Sequence, residues 1–466
     1  MLSAARRPAV GTLVEGLVEG ALRHPSAVTF FPSGKEGIDI VDLEDASARR
    51  AASFLRQGIR PGALVGFLVA PGPEFLVNFF GALRIGAVVA MLPTNTRAAQ
   101  YNSEVPRLRQ LIEAASVQHL LATEPFCELA QRLCAASPGV SIVDTGVGAA
   151  RAALPPVHAG QRALTLFTAG RTGRPKAVAR SHGDVMAGIR AFRAAVGMTS
   201  EDSLVQWLPL SHPIALFGLL SQILYGGTTY VFGPATQHNE PYEILRCIAE
   251  HRATVTTGNN SSYELLCDVA TARSPSQLNL GRWRVALNTG EPVLASTLER
   301  FCRIFALAGV RKTTMHPMYY VTEAVLAVTV KLPDTVPDIL CIDRCTLADS
   351  GKIRFNRTDE TRMRSYVSSG VPVNGIDFRI ANEHGVDVGN GVLGEIQIRN
   401  PAVTAGYHRD IRATMRSMNG GWFRTGDRGF LWRGQLFVTS EDGTDEHDQR
   451  QCRQRFREKD MMGGRS

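Results

Sequence analysis

No stretch of this chain is apolar and long enough to cross a bilayer. The greasiest run, near Ala215–Leu224, is broken by Ser221 and Gln222 and falls well short of the ~20 residues a spanning helix needs. Cysteine is sparse: eight in 466 residues, with only Cys341 and Cys345 close together and no histidine or second cysteine pair beside them. That excludes a disulfide framework and a thiolate zinc site, and suits buried thiols in a reducing cytoplasm. No apolar segment follows Arg6 and Arg7, so no secretory leader is read. An RNP pattern, zinc-finger spacing and a basic helix are all missing. The net charge of +8 therefore suits a polyanionic ligand such as a nucleotide, with nucleic acid left as the weaker alternative. There is no internal repeat and no Walker A ending.

What is present reads as α/β. The length suggests a large domain built of subdomains. Thr12 to His24 predicts an opening helix: Thr12 and Glu15 form a capping box, and Leu13, Val14, Leu17, Val18, Ala21 and Leu22 mark an apolar face. Strand-like Ala63–Val69, helical Glu74–Ile85 and strand-like Ala87–Met91 make a βαβ unit. The alternation continues with a helix at Val105–Ala115, a strand at His119–Ala122, a helix at Pro125–Ala136 and a strand at Val140–Val143, and it returns between Asp184 and Leu326. Parallel sheets covered by helices are expected. After about Pro372, short strands at Phe378–Ile380, Glu395–Arg399, Gly429–Trp432 and Gln435–Thr439 predict a smaller β unit. From Ser440 onward a cluster of acidic residues is followed by arginines, the composition of a solvated tail.

One segment points to chemistry. Phe167-Thr168-Ala169-Gly170-Arg171-Thr172-Gly173-Arg174-Pro175-Lys176 follows a predicted strand at Ala163–Phe167. Gly170 and Gly173 let backbone N–H groups converge, Thr168 and Thr172 add hydroxyls, and Lys176 adds a mobile charge, which together cradle phosphate oxygens. The plain alternative is a surface turn. The segment resembles the phosphate loop of the adenylate-forming superfamily (acyl-CoA synthetases, nonribosomal peptide adenylation domains, luciferases). Further motifs agree in order: Tyr319-Tyr320-Val321-Thr322-Glu323 resembles Tyr-Gly-x-Thr-Glu, and Gly421-Trp422-Phe423-Arg424-Thr425-Gly426-Asp427 is similar to Gly-Trp-Phe-x-Thr-Gly-Asp. Gly394-Glu395-Ile396 and Gly406-Tyr407 fit the connecting blocks. The likeness runs from about Thr12 to Val438. Arg252-Ala253-Thr254-Val255, Tyr263-Glu264-Leu265 and Trp283–Asn288 look most like the fatty acyl-AMP ligase branch, and Lys331–Ser365 like its insertion.

The resemblance implies the large N-terminal domain of the adenylate-forming fold, with two αβαβα-type subdomains over 1–370, a small β-barrel-like subdomain over 371–439, and a charged tail over 440–466. It implies ATP and Mg²⁺ as cofactors, a fatty acid as substrate, and an acyl carrier protein or a polyketide or nonribosomal peptide synthase as acceptor. Thr168, Thr172 and Lys176, with Gly170 and Gly173, would hold the β- and γ-phosphates, and Thr322 would touch the α-phosphate. Glu323 would bind Mg²⁺, which prefers oxygen ligands. Asp427 would accept from the ribose hydroxyls, Asn288, Gly290 and Glu291 would form the adenine wall, and Tyr319 would stand beside the nucleotide. His212 falls at a position near the substrate carboxylate. Each has a bland alternative: Glu323 as a helix cap, Asp427 as a turn aspartate, His212 as a structural histidine.

The chain departs from the family pattern at several points. Ala169 and Arg171 stand where hydroxyl residues are usual, Ala177 and Tyr320 stand in place of glycine, and Pro213-Ile214-Ala215 replaces the branch's usual Asp-Met-Gly. The family also carries a small C-terminal domain whose lysine bridges the acid and the α-phosphate. The sequence stops at Ser466, before such a domain, so a separate one acting in trans is an expectation. Arg457-Glu458-Lys459-Asp460 resembles the preceding hinge, and Lys459 is not that lysine. Losing one such contact costs ~10²–10³ in rate. Three functions stay open: a fatty acyl-AMP ligase, a nucleotide- or acyl-binding module without turnover, and an acyl-CoA synthetase.

Overall fold

Thr12 opens the first helix, Leu13–Arg23, through the expected reciprocal cap. Its hydroxyl accepts from the Glu15 N–H at 3.0 Å, and the Glu15 carboxylate accepts from the Thr12 N–H at 2.9 Å. The buried face differs from the expected one. Leu13, Gly16, Leu17 and Gly20 turn inward, while Leu22 is 79% exposed. The two glycines let the helix rest close on Leu224, which a Cβ on Gly16 would approach at 3.2 Å. The computed structural model describes residues 10–439 except 33–34, 95–100, 147, 149, 169–175, 326, 356–361, 401–402 and 404–405. The charged tail, and Gly170, Thr172 and Gly173 of the phosphate loop, lie outside the described residues.

Two large mixed sheets form the body. The six-stranded one runs Ser141–Val143, His119–Ala122, Leu64–Leu68, Val88–Met91, Arg162–Thr168, Lys176–Ser181. The nine-stranded one runs Val371–Pro372, Ala327–Val330, Met315–Tyr320, Val285–Asn288, Val255–Gly258, Ser203–Gln206, Thr228–Val231, Val28–Phe31, Glu36–Asp39. Their centres are parallel, as the buried apolar runs require. Their margins correct the wholly parallel expectation. Arg162–Thr168 pairs antiparallel with Lys176–Ser181, and the larger sheet is antiparallel at both ends. The link after Thr168 is too short for the crossover a parallel neighbour needs.

The main core draws on both sheets, with Phe67, Val89 and Leu164 from one and Val255, Leu287 and Met318 from the other. Helices Pro73–Arg84 and Pro213–Ile223 belong to it, and the second is buried along its whole length. A helix apolar all round has no solvent face to keep polar. Two further cores cover the outer faces, one beneath Tyr101–Ala115 and Cys127–Ala136, the other around Trp207, Tyr263, Trp283 and Phe301. The helix expected from Val105 starts a turn earlier at Tyr101 and carries Pro106 inside it, and Tyr101 Oη donates to the Pro125 carbonyl at 2.8 Å. The helix expected from Pro125 begins at Cys127. Among the described residues no helix is long and apolar enough to cross a membrane.

Beyond Pro372 comes the small antiparallel sheet. Asp377–Ala381, Gly394–Arg399 and Trp422–Trp432 run side by side, and Trp422–Trp432 also pairs with Met418–Asn419 and Gln435–Thr439. Ile380, Ile396, Ile398, Phe423 and Leu436 pack it onto Tyr319, Ala324 and Val328. That seam brings the strand carrying Asp427 to the end of Met315–Tyr320. The stretch expected to be an insertion holds a strand pair, Ile339–Asp343 with Met363–Val367, and the helix Arg344–Ser350.

Candidate active site

A cavity of about 880 Å³ opens where the three sheets meet. Thr168 ends one strand of the six-stranded sheet and Lys176 begins the next. Tyr320, Thr322 and Glu323 come from the end of the nine-stranded sheet's Met315–Tyr320 strand, and Asp427 from the small sheet. A second cavity of about 250 Å³ shares Gly290, Tyr320 and Asp427 with the first and adds Glu291 and Tyr319. The fold thus gathers Thr168, Lys176, His212, Gly290, Tyr319, Glu291, Thr322, Glu323 and Asp427 from distant parts of the chain. Asn288 lines neither cavity. It is fully buried and donates to Asn260 Oδ1 at 3.1 Å, while the Asn260 N–H donates to Glu291 Oε1 at 3.0 Å.

Tyr407 joins Lys176 and Glu323 at one end of the cavity. Lys176 Nζ sits 4.4 Å from its ring centroid, and its hydroxyl donates to Glu323 Oε1 at 2.8 Å. Burial first, and then the Glu323 charge, push the Tyr407 phenol well above its ordinary pKa, so it remains a donor. Glu323 sits in the short turn Thr322–Ala324, whose Thr322 carbonyl accepts from Arg180 Nη2 at 2.6 Å. Arg180 is 1% exposed, and burial lowers its pKa to about 10 against the pull of Asp184 and Glu323, so it keeps its charge at neutral pH. Just after the turn, Val325 has φ 74° and ψ −58°, a positive-φ backbone that costs a β-branched residue about 1–3 kcal/mol.

Where the small sheet meets the cavity, Tyr319 Oη donates to Asp427 Oδ2 at 2.7 Å, and the Asp427 N–H donates to Thr425 Oγ1 at 3.1 Å. At the other end, His212 caps the helix Pro213–Ile223 and its Nε2 lies 3.2 Å from Tyr320 Oη. Burial lowers its pKa, so the imidazole is neutral near pH 7. Sequence reasoning assigned no role to Arg180, Tyr407, Arg416 or Arg424, the last three of which line the cavity. Tyr407 and Arg424 lie within matched motifs, which is the signal that could have marked them, whereas Arg180 and Arg416 carry no such signal.

Among the described residues no three His, Cys, Asp or Glu side chains converge on a metal-sized point. A lone Glu323 beside Thr322 still fits Mg²⁺, which takes one or two carboxylates and fills its shell with water and phosphate oxygens. The cations Lys176, Arg416 and Arg424 at the same cavity fit a polyphosphate.

The family described as AMP-binding enzyme matches residues 21–408. The chain is 26% identical over 457 residues to the medium-chain-fatty-acid--[acyl-carrier-protein] ligase JamA of Moorena producens, covering 93% of this chain and 77% of that protein. It is 26% identical over 405 residues to the long-chain-fatty-acid--AMP ligase FadD26 of Mycobacterium marinum, covering 81% of this chain and 68% of that protein. With the 4-hydroxyphenylalkanoate adenylyltransferase of Mycobacterium tuberculosis the identity is 26%, over 81% of this chain but only 64% of that protein's length. Among solved structures, one from studies of fatty acyl-adenylate ligases of E. coli and L. pneumophila superposes with a TM-score of 0.87 at 25% identity, covering 93% of this chain and 79% of that one. The L. pneumophila fatty acyl-adenylate ligase in complex with acyl adenylate and pyrophosphate superposes at 0.82 with 22% identity, covering 93% and 77%, and shares the fold.

Proposed function

The chain belongs to the family of AMP-binding enzymes, and from that premise we propose that it activates a fatty acid as acyl-AMP for transfer to an acyl carrier protein. The acid's carboxylate oxygen attacks the α-phosphorus of ATP. The bond from that phosphorus to the bridging oxygen breaks, and pyrophosphate leaves with the electron pair. The observation that carries this reading is the gathering of Lys176, Thr322, Glu323 and Asp427 around one cavity.

Little covalent help is needed, so positioning and charge dominate. Lys176 moves from the Tyr407 ring to the β- and γ-phosphates. Thr322 donates to the α-phosphate from a turn that Arg180 holds in place. Asp427, oriented by Tyr319, accepts from the ribose. His212, being neutral, orients the incoming carboxylate without pairing with it as an ion. Mg²⁺, held by Glu323, would neutralise phosphate charge. The lysine that the family brings on its small C-terminal domain would reach the same α-phosphate, from this polypeptide or a separate one. A polyketide or nonribosomal peptide synthase is the natural setting for the acceptor, and a reaction that consumes ATP suits the cytoplasm.

The test is mass-spectrometric detection of acyl-AMP, together with pyrophosphate release, from purified protein, ATP, Mg²⁺ and a panel of fatty acids. Product that depends on the acid supports the reading, and its absence across the panel with folded, ATP-binding protein removes it. A second reading, a binding module without turnover, is favoured by Tyr407, which occupies both Lys176 and Glu323. Calorimetry would then show ATP binding with no pyrophosphate.

A further inference from the structure

Tyr320 stands where the family pattern has glycine, and its side chain ends at His212. The hydroxyl and Nε2 are 3.2 Å apart, and the rings meet nearly edge to face with centroids 5.8 Å apart. Both residues line the large cavity, and Tyr320 also lines the small one. The ring packs against the main core. Behind His212 the chain enters Pro213–Ile223, which is buried at every position. Pro209 and Pro213, close to His212 in the chain, line the same large cavity as the Tyr320 phenol.

We propose that the Tyr320–His212 pair is the specificity-determining end wall of the acid site, so that this chain accepts carboxylic acids with short, compact tails and rejects long ones. The inference rests on the acid-activating function proposed above and names its substrate class. A long tail must displace the phenol, breaking its hydrogen bond to His212 and its packing on the core. A tail of a few carbons stops short of it.

The experiment compares wild type, Tyr320→Gly, Tyr320→Ala and Tyr320→Phe with butyrate, octanoate and palmitate. It measures kcat/KM for acyl-AMP formation and, separately, binding of each acid by calorimetry in the presence of ATP. Wild type should prefer butyrate. Tyr320→Gly and Tyr320→Ala should raise palmitate relative to butyrate by about 10- to 200-fold, the range that hydrophobic pocket contacts supply. Tyr320→Phe keeps the ring and should keep the order of preference. Wild type that uses palmitate as well as butyrate, or small-residue variants with an unchanged ratio, would overturn the inference. If no protein makes acyl-AMP, the function reading falls and the binding arm decides. Palmitate held by Tyr320→Gly but not by wild type sustains the end wall, and equal or absent binding overturns it.

Discussion

Lys176 and Glu323 share one aromatic neighbour, and the geometry says which of their contacts must yield. A cation on a tyrosine face is held by about 0.5–2 kcal/mol, less than a desolvated phosphate can offer. Lys176→Ala should therefore lower pyrophosphate release by ~10²–10³, the usual cost of one transition-state donor, while leaving the thermal midpoint nearly unchanged. An unaltered rate would remove Lys176 from the phosphate site. Two other residues set a pH limit. His182 is 0% exposed and accepts from the Leu13 N–H at 3.4 Å, and burial holds its pKa at about 4. His316 is held at about 3 by burial and by the Lys331 charge. Below the ordinary 6.5 the unfolded chain takes up these protons and the folded one does not, so stability is full above that pH and drains away as pH falls toward about 4 and 3. The thermal midpoint should drop between pH 7 and pH 5, and His182→Gln should flatten the decline.

At the scale of elements, the site depends on how strand ends are pinned. Arg180 reaches out of Lys176–Ser181 to hold the Thr322–Ala324 turn, linking the two large sheets beside the large cavity. Gly370 does comparable work for the strand Val371–Pro372. Its φ is +87°, and a Cβ there would fall 2.1 Å from the Val330 carbonyl. Gly370→Ala should thus push this strand off Ala327–Val330 and lower stability by several kcal/mol, beyond the ~1 kcal/mol of an average substitution. Gly58 is the control: its φ is +85° with nothing within 4 Å of an added Cβ. Gly58→Ala should cost only the ~1–2 kcal/mol of left-handed backbone. Urea midpoints of the two variants compare the effects directly, and equal losses would mean that the close approach to Val330 is unimportant.

For the whole molecule, the important fact is that the cavity is a junction. Its lining comes from the six-stranded sheet at Lys176, the nine-stranded sheet at Tyr320 and the small sheet at Asp427. A nucleotide bound there touches all three and should stabilise them together. At a concentration 100 times its Kd, Mg-ATP should add about 2.7 kcal/mol, seen as a rise in thermal midpoint. Asp427→Ala should shrink that rise. A shift of the same size in the variant would place the nucleotide elsewhere.

Much of this was legible along the chain because local rules decide it. The Thr12–Glu15 cap, the strand at His119–Ala122 and the run Gln435–Thr439 follow from hydrogen-bonding side chains and apolar patterning within a few residues. The motifs around Lys176, Glu323 and Asp427 were legible as a resemblance in their order along the chain, and the fold brings the three residues to one cavity. The folded arrangement alone decided what those groups touch. Tyr407 between Lys176 and Glu323, Arg180 beneath Thr322, Asn288 turned away toward Asn260, and Tyr320 against His212 are contacts across long stretches of chain. So too are the antiparallel sheet margins, which depend on which edge a strand finds. Pattern and propensity act over a turn or a strand, whereas a partner 108 residues away is chosen by how whole layers pack.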